Sequence, residues 1–545
     1  MKKLKVLLVF ICVLSLVGCS SSKSDATKSP AVEMGKVLYS NGGPEEFFET
    51  PWLNPGTFFY NKVLYSHLLV ADENLSALSE HPDGLAKSYT YSEDGKTLEF
   101  VLRDDIYWHD GEKITAEDIK WSIEYATKTT TINAVFKSTF DAIAGSSNDT
   151  FSGIVVDGNK ITITFESVAP DALLTFTQFA PLPKKYFEGV DPLNFQQAEF
   201  FQKPVGSGPF MVDEVKLKDF TTLKAFDKYY NGVADFSIQL SPSPGDSDPS
   251  LVKNAMSNQV DIAYTKSVAD VKSLEGTDGI TVTPVNVRYT RLLYMNKFNK
   301  ADGSASPIAD QRVRQAIAYA IDMDAIAENL YGGNIIASNS LIPGESDKAS
   351  GLNYYKYDTE KAKALLEEAN WDPNYEIDVV YYYTDQVTVD LMTSIQFYLS
   401  EVGVKMNFRL LEGDLATLLW QAPEDVANGP SAVDWDMAYG GVGALSLHEY
   451  YDRYRSGSSM NSHTPTDETL DALIDATNAS TDVNAQIEAF KELSKYENEN
   501  LFALALYYQP IFVITSDRVA ENFDLSKLGN PQFNYNWDIQ NWKIK

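Results

Sequence analysis

The chain has 545 residues, 44% of them hydrophobic and 22% charged, which is too long for one small core and sufficient for about three or four domain-sized units. Asp and Glu number 76 against 45 Lys and Arg, a net charge of −31, so the surface repels phosphate backbones and anionic lipid, which argues against nucleic acid and membrane surfaces as direct partners. Aromatic residues make up 12%, with 31 Tyr, a composition that excludes a disordered chain.

The N-terminus reads as an address. Lys2, Lys3 and Lys5 form a positive start, and residues 6–17 form an apolar run, too short to span a bilayer and suited to a signal peptide. The run ends in Leu16-Val17-Gly18-Cys19, which resembles a bacterial lipobox. Residues 1–18 are thus expected to be removed as a lipoprotein signal peptide, with Cys19 carrying lipid (palmitate among its acyl chains) and residues 19–35 serving as a flexible tether. Cleavage removes Cys12 and three lysines and takes the net charge from −31 to −34. No disulfide, cysteine metal site or thiol nucleophile then remains. The expected location is the outer face of the cell membrane.

Residues 36–40 read as a first strand. Residues 89–91 and 97–103 flank Ser92-Glu93-Asp94-Gly95, a hairpin turn whose glycine supplies a positive φ. Thr115 and Asp118 form a capping-box start for a helix carrying Ile119, Ser122, Ile123 and Ala126 on one face. A second hairpin turns at Asp157-Gly158-Asn159 into a strand at 161–165. Val313, Ile317, Ala320 and Ile321 share a helix face. Asp322 caps the next helix, with Ile326 and Leu330, which Gly332-Gly333 stops. Asp358 caps another, with Ala362, Leu365, Leu366 and Ala369 inward. Strand 376–383, helix 387–402 and strand 404–410, with Gly403 as terminator, predict a right-handed βαβ crossover and a parallel pair. The fold class is mixed α/β in more than one lobe.

The sequence holds no GxxxxGK[ST], GxSxG or HExxH motif. His67, His81, His109, His448 and His463 are scattered and read as surface or packing residues. Trp108-His109-Asp110-Gly111 reads as a turn, with Asp110 bonding backbone donors. Val205-Gly206-Ser207-Gly208-Pro209-Phe210 reads as a loop whose glycines let backbones approach closely. No catalytic residue, metal or cofactor is expected, and the chain reads as no enzyme. Acidic pairs such as Asp104-Asp105 keep an extracellular hydrolase as a minor alternative.

These stretches also carry a family resemblance. Leu85-Ala86-Lys87-Ser88, Asp94-Gly95-Lys96-Thr97, Leu102-Arg103, Trp108-His109-Asp110-Gly111 and Thr115-Ala116-Glu117-Asp118 occur in this order. Pro204 to Phe210, Arg312-Val313-Arg314-Gln315-Ala316-Ile317, Gly333, Pro343, Tyr357-Asp358 and Trp435-Asp436-Met437 follow. Together they resemble the bacterial family 5 solute-binding proteins, the oligopeptide-, dipeptide- and nickel-type binding lipoproteins of ABC importers. The resemblance implies a periplasmic-binding-protein-like α/β fold of the cluster C type, with two mixed lobes, a hinge and an extra domain. By analogy lobe I spans 36–69, 181–289 and 506–545, the extra domain 70–180, and lobe II 290–505. It also implies a monomer that closes over a solute and docks on membrane permease subunits.

The resemblance further implies where ligand lies. In peptide-binding relatives the peptide main chain pairs with backbone of both lobes. The lobe II segment falls at Tyr439, Gly440, Gly441, Val442, Gly443 and Leu445, anchored by Trp435, and the lobe I counterpart falls at Phe58 and Tyr60. An alternative for the glycines is a plain strand-end loop. Many peptide binders place an Asp after these glycines for the peptide ammonium. Here Leu445 stands there, and the nearest downstream acid is Glu449. An apolar side chain cannot satisfy a buried ammonium. The expected cargo is an oligopeptide, with an oligosaccharide or other small solute, or a peptide-sensing role, as alternatives.

Overall fold

Local signals start the elements where the sequence writes them. In the computed structural model the Thr115 hydroxyl accepts from the Asp118 N–H at 3.3 Å, and the Asp118 carboxylate accepts from the Thr115 N–H at 2.9 Å. This reciprocal cap opens helix Ala116–Ala126, which buries Ile119, Ser122, Ile123 and Ala126. The structure describes residues 33–38, 43–44, 46–55, 59–72, 76–241, 250–285, 287–458, 461, 463–519 and 539–544. Cys19 and the tether up to residue 32, Phe58, and the end of the strand expected at 36–40 lie outside them; residues 33–35, expected in the tether, open the first strand, Glu33–Leu38.

Three sheets organise the described residues. The smallest is antiparallel and joins the two expected hairpins, Ala86–Tyr91 with Thr97–Leu102 and Ile154–Asp157 with Lys160–Thr164. Gly95 and Gly158 take φ of 65° and 62° at the two turns, a region that side chains with Cβ rarely enter. The seven-stranded sheet runs in the spatial order Ile280–Val285, Ile511–Ser516, Ile262–Thr265, Glu33–Leu38, Phe236–Ser241, Phe220–Ala225 and Phe210–Lys216. One continuous core joins it to the small sheet, with Leu98, Phe100 and Ile161 on one side and Phe210, Phe236 and Val513 on the other.

The six-stranded sheet runs Ile336–Ala337, Ala503–Tyr508, Tyr289–Met295, Met437–Gly443, Glu376–Tyr381 and Lys405–Leu410. The predicted crossover is present: Glu376–Tyr381 and Lys405–Leu410 pair in parallel, with helix Gln386–Glu401 between them in sequence. Helices cover both faces, so the inner strand Ala503–Tyr508 is buried along its whole length, whereas Lys405–Leu410 at the sheet edge alternates exposed Lys405 and Asn407 with buried Met406. Leu293, Val379 and Met437 face helices Gln311–Ala320 and Gln386–Glu401. Leu292, Val380 and Ala438 face Glu468–Thr477 and Val483–Asn500.

The glycine loop at 205–210 binds tightly to the helix Phe59–Leu64. Ser207 and Gly208 donate N–H to the Leu64 carbonyl at 2.9 and 2.8 Å. A Cβ on Gly206 or Gly208 would collide with the Leu64 or Val63 carbonyl. His109 holds the same loop from the other side. Its Nδ1 accepts from the Gly206 N–H and its Nε2 faces the Gly208 carbonyl, both at 3.0 Å, so the ring is neutral with its proton on Nε2.

The chain crosses between the two large sheets twice. It leaves the seven-stranded sheet after Val285 and enters the six-stranded one at Tyr289; it returns between Tyr508 and Ile511. The crossings touch. The Gln509 N–H reaches the Tyr289 carbonyl at 3.4 Å. The Gln509 side chain accepts from Arg291 Nε and donates to the Lys266 carbonyl, both at 3.2 Å.

Candidate ligand-binding cleft

Beside the crossings, strand geometry gathers a ring of tyrosines around one arginine. Tyr289 and Arg291 are two residues apart, so they project from the same sheet face. Arg291 pairs in register with Gly441 on one neighbouring strand and with Tyr507 on the other. Its guanidinium lies 4.0 Å from the Tyr383 ring centre, 5.0 Å from that of Tyr289 and 5.8 Å from that of Tyr439, within the range of cation–π attraction. Lys266 adds a second cation, 5.5 Å from the Tyr289 ring.

The phenols are linked to one another. Tyr289 bonds Tyr383, and Tyr383 bonds Tyr382, each at 3.0 Å. Tyr331 bonds Tyr507 at 2.9 Å, and Tyr507 bonds Tyr439 at 2.8 Å. Burial raises the phenols of Tyr331, Tyr383, Tyr439 and Tyr507 well above the ordinary tyrosine range. They are neutral, so they offer hydrogen bonds but no counter-charge to Arg291.

Gly441 and Gly443 serve this ring. The family resemblance lays ligand main chain along this segment, where glycines leave room. In the structure Tyr289 takes that room. A Cβ on Gly441 would run into the Tyr289 hydroxyl and ring, and one on Gly443 would lie 2.6 Å from Tyr289 Cδ2. An aromatic ring laid across strand glycines covers backbone that would otherwise be bare. Gly440 and Val442 are buried on the opposite face, where a Cβ at Gly440 would sit 3.0 Å from Tyr294.

The other expected site residues lie at varied distances from this ring. Tyr439 belongs to it. Trp435 is 1% exposed, packs in the opposite layer of the second lobe, and donates its indole N–H to the Leu418 carbonyl at 3.1 Å. The Tyr60 hydroxyl accepts from the Glu49 N–H at 3.0 Å, and the ring stands edge-on to Phe48. Leu445 is 1% exposed and packs against the core of the first lobe. Glu449 accepts from the Leu445 N–H at 2.8 Å and from the Ser446 N–H at 3.3 Å. Burial pushes its carboxyl up to about 7 despite these bonds. Glu449 therefore caps its own turn.

Tyr289, Arg291, Tyr383, Tyr507 and Gln509 were not picked from the sequence. One signal was available: Arg291 is the one charged residue of the strand Tyr289–Met295.

The second lobe also reaches the four-stranded unit. His448 Nδ1 lies 3.1 Å from both Asp171 carboxylate oxygens, and Gln486 donates to the Pro170 carbonyl at 3.2 Å. Among the described residues no group of three His, Cys, Asp or Glu is placed to hold a metal ion, and no helix is long and apolar enough to cross a membrane.

Residues 82–463 match the profile of the bacterial extracellular solute-binding proteins, family 5, and the chain belongs to that family. A Brucella ovis protein designated an ABC transporter peptide-binding protein is 26% identical over 368 residues, covering 66% of this chain and 66% of that one. The dipeptide-binding protein of Escherichia coli is 27% identical over 385 residues, covering 65% of this chain and 66% of that one. The crystal structure of the ABC transporter substrate binding protein CtaP of Listeria monocytogenes superposes with a TM-score of 0.77 at 19% identity, covering 94% of this chain and 99% of that one. Two mixed α/β lobes joined by two crossing segments, with a further small sheet packed on the first lobe, are thus the fold of a solute-binding protein.

Proposed function

We propose that this protein is a lipid-anchored, extracytoplasmic binding protein that captures oligopeptides by hinge closure and delivers them to the permease of an ABC importer. The observation that carries the reading is the double crossing at 286–288 and 509–510, bridged by Gln509 between Arg291 and Lys266. Two short neighbouring connections let one lobe rotate against the other with few backbone angles changing. Ligand that touches both lobes then favours the closed form by its differential affinity. The relatives designated as peptide-binding support the cargo class.

In this reading lobe I comprises 36–69, 181–288 and 509–545, the extra domain 70–180 and lobe II 289–508; the bounds expected from the resemblance, 181–289, 506–545 and 290–505, shift because Tyr289–Met295 and Ala503–Tyr508 pair in the six-stranded sheet. Cys19 holds the lipid and the protein works as a monomer. The family resemblance assigns Phe58 and Tyr60 to the lobe I side of the cleft, and Tyr439 to Gly443 and Leu445, backed by Trp435, to its lobe II side. Tyr289 and Tyr383 are added to that wall. The role is capture without chemistry.

Mass spectrometry of the protein purified without denaturation tests the cargo, followed by calorimetric titration with what is found. Peptides bound at one per chain and recovered intact are expected. Recovered sugars would replace peptide with saccharide as the cargo, and turnover of the bound molecule would make the protein a hydrolase.

A further inference from the structure

Arginine is scarce in this chain, and acids outnumber bases by 76 to 45. A surface of that kind supplies a carboxylate to nearly any arginine within reach. Arg103 pairs with Asp105, Arg312 with Asp310, Arg409 with Asp378 and Asp434, and Arg455 with Asp475. Arg314, deep in the second lobe, is satisfied by the carbonyls of Ile308, Ala309 and Asn500. Arg291 and Arg453 have neither arrangement: Arg453 donates Nη1 to the Tyr294 hydroxyl at 3.1 Å inside the second lobe, while Arg291 lies beside the crossings. The single hydrogen bond of Arg291 among the described residues runs from Nε to Gln509, and its Nη1 is sealed from solvent without an acceptor.

A desolvated guanidinium without an anion is costly, and tyrosine faces offset only part of that cost. A leucine, as at the neighbouring positions 292 and 293, would carry no such cost. The geometry also has a direction. Gln509 occupies Nε and fixes the plane, so the edge carrying both Nη atoms is left to donate. That edge presents parallel N–H groups, the pattern that matches the two oxygens of a carboxylate. The tyrosine rings above and beside it exclude water and strengthen any charge pair formed there.

We infer that Arg291 receives a carboxylate of the bound solute between the Tyr289 and Tyr383 rings, so that this protein selects acids over their neutral counterparts. The inference rests on the reading of this cleft as the solute site. In a peptide the carboxylate comes either from the C-terminus or from an acidic side chain.

Calorimetric titration of the full mature protein with matched synthetic peptides separates the two sources. One pair differs as C-terminal acid against C-terminal amide. A second pair, both amidated, differs as Glu against Gln at one internal position. At least tenfold tighter binding of the acid in one pair is expected. Arg291→Gln is expected to bring that pair within twofold, and Arg291→Lys to keep part of the preference. Should Arg291→Gln fail to fold, the wild-type preference and the Arg291→Lys variant still decide. Equal binding of acid and neutral peptides by the wild type overturns the inference and leaves the peptide reading standing. Binding of no peptide removes the peptide reading. Oligouronides and the corresponding neutral oligosaccharides are then titrated in the same way. Preference for the uronide supports the inference, and its absence from both panels overturns it.

Discussion

His448 and Asp171 meet across the boundary between the second lobe and the four-stranded unit, with Nδ1 3.1 Å from both carboxylate oxygens. The other ring nitrogen, Nε2, faces the Thr477 carbonyl at 3.1 Å. Both nitrogens therefore point at acceptors, which suits the doubly protonated ring. Burial opposes that charge, but Asp171 and the Thr477 carbonyl outweigh it and hold the pKa above 6.5.

This pair makes stability depend on pH. A histidine raised on folding contributes stability that is complete below its unfolded pKa and is lost as pH rises through the folded one. Burial also raises Glu449, from 4.5 to about 7, and Asp452, which faces His448 and the Arg453 and Arg455 side chains. A raised carboxyl acts in the same direction, because the folded state holds the extra proton. Stability of the contact between lobe and unit is thus expected to fall as pH rises from about 4.5 to about 7, the Glu449 window, and to go on falling as pH rises above 6.5 through the raised His448 value. His448→Gln should cost about 1–3 kcal/mol at the acid end and flatten the slope, read from urea denaturation across that range. An unchanged slope in the variant would sink the assignment.

Gly441→Val is expected to destabilise the fold by about 1–3 kcal/mol, because the new side chain must displace the Tyr289 ring. Tyr289→Ala should remove most of that penalty in the double variant. A double-mutant cycle measured by denaturation checks the coupling. Additive effects would mean that the ring does not occupy the space above the glycine.

Cys19→Ala should leave the precursor unprocessed or release the protein from the membrane, since Cys12 lies upstream of the expected cleavage point. Fractionation and the mass of the N-terminal peptide report it. Mature protein that still needs detergent would count against lipid at Cys19.

Closure should appear as a smaller radius of gyration when saturating ligand is added, measured by small-angle scattering. Tight binding with no change in radius would argue for a cleft that is already closed before ligand enters.

Local pattern carried much of the fold into view. Thr115 with Asp118, the turns at Gly95 and Gly158, and the strand, helix and strand of 376–410 are all encoded within short windows. The tyrosine ring was not legible in that way. Its members lie on strands whose adjacency is set by register: Arg291 beside Gly441 and Tyr507. Among 31 tyrosines no single one stands out. The glycine segment was visible, but its use was not, because Tyr289 reaches it from a neighbouring strand. Leu445 drew notice for its missing charge; the structure shows an apolar side chain packed on the first lobe's core.

The order of the seven-stranded sheet bears on how the chain becomes a protein. Strand Ile511–Ser516 lies between Ile262–Thr265 and Ile280–Val285. A segment made only after the whole second lobe is therefore an interior plank of the sheet whose other strands precede that lobe. Until it arrives, Ile280–Val285 has no place in the sheet and Ile262–Thr265 keeps an unpaired edge. The second lobe, lying wholly between the crossings, can gather its strands earlier. Emerging chain thus carries an incomplete first lobe until the second lobe has been made, and the first core closes last.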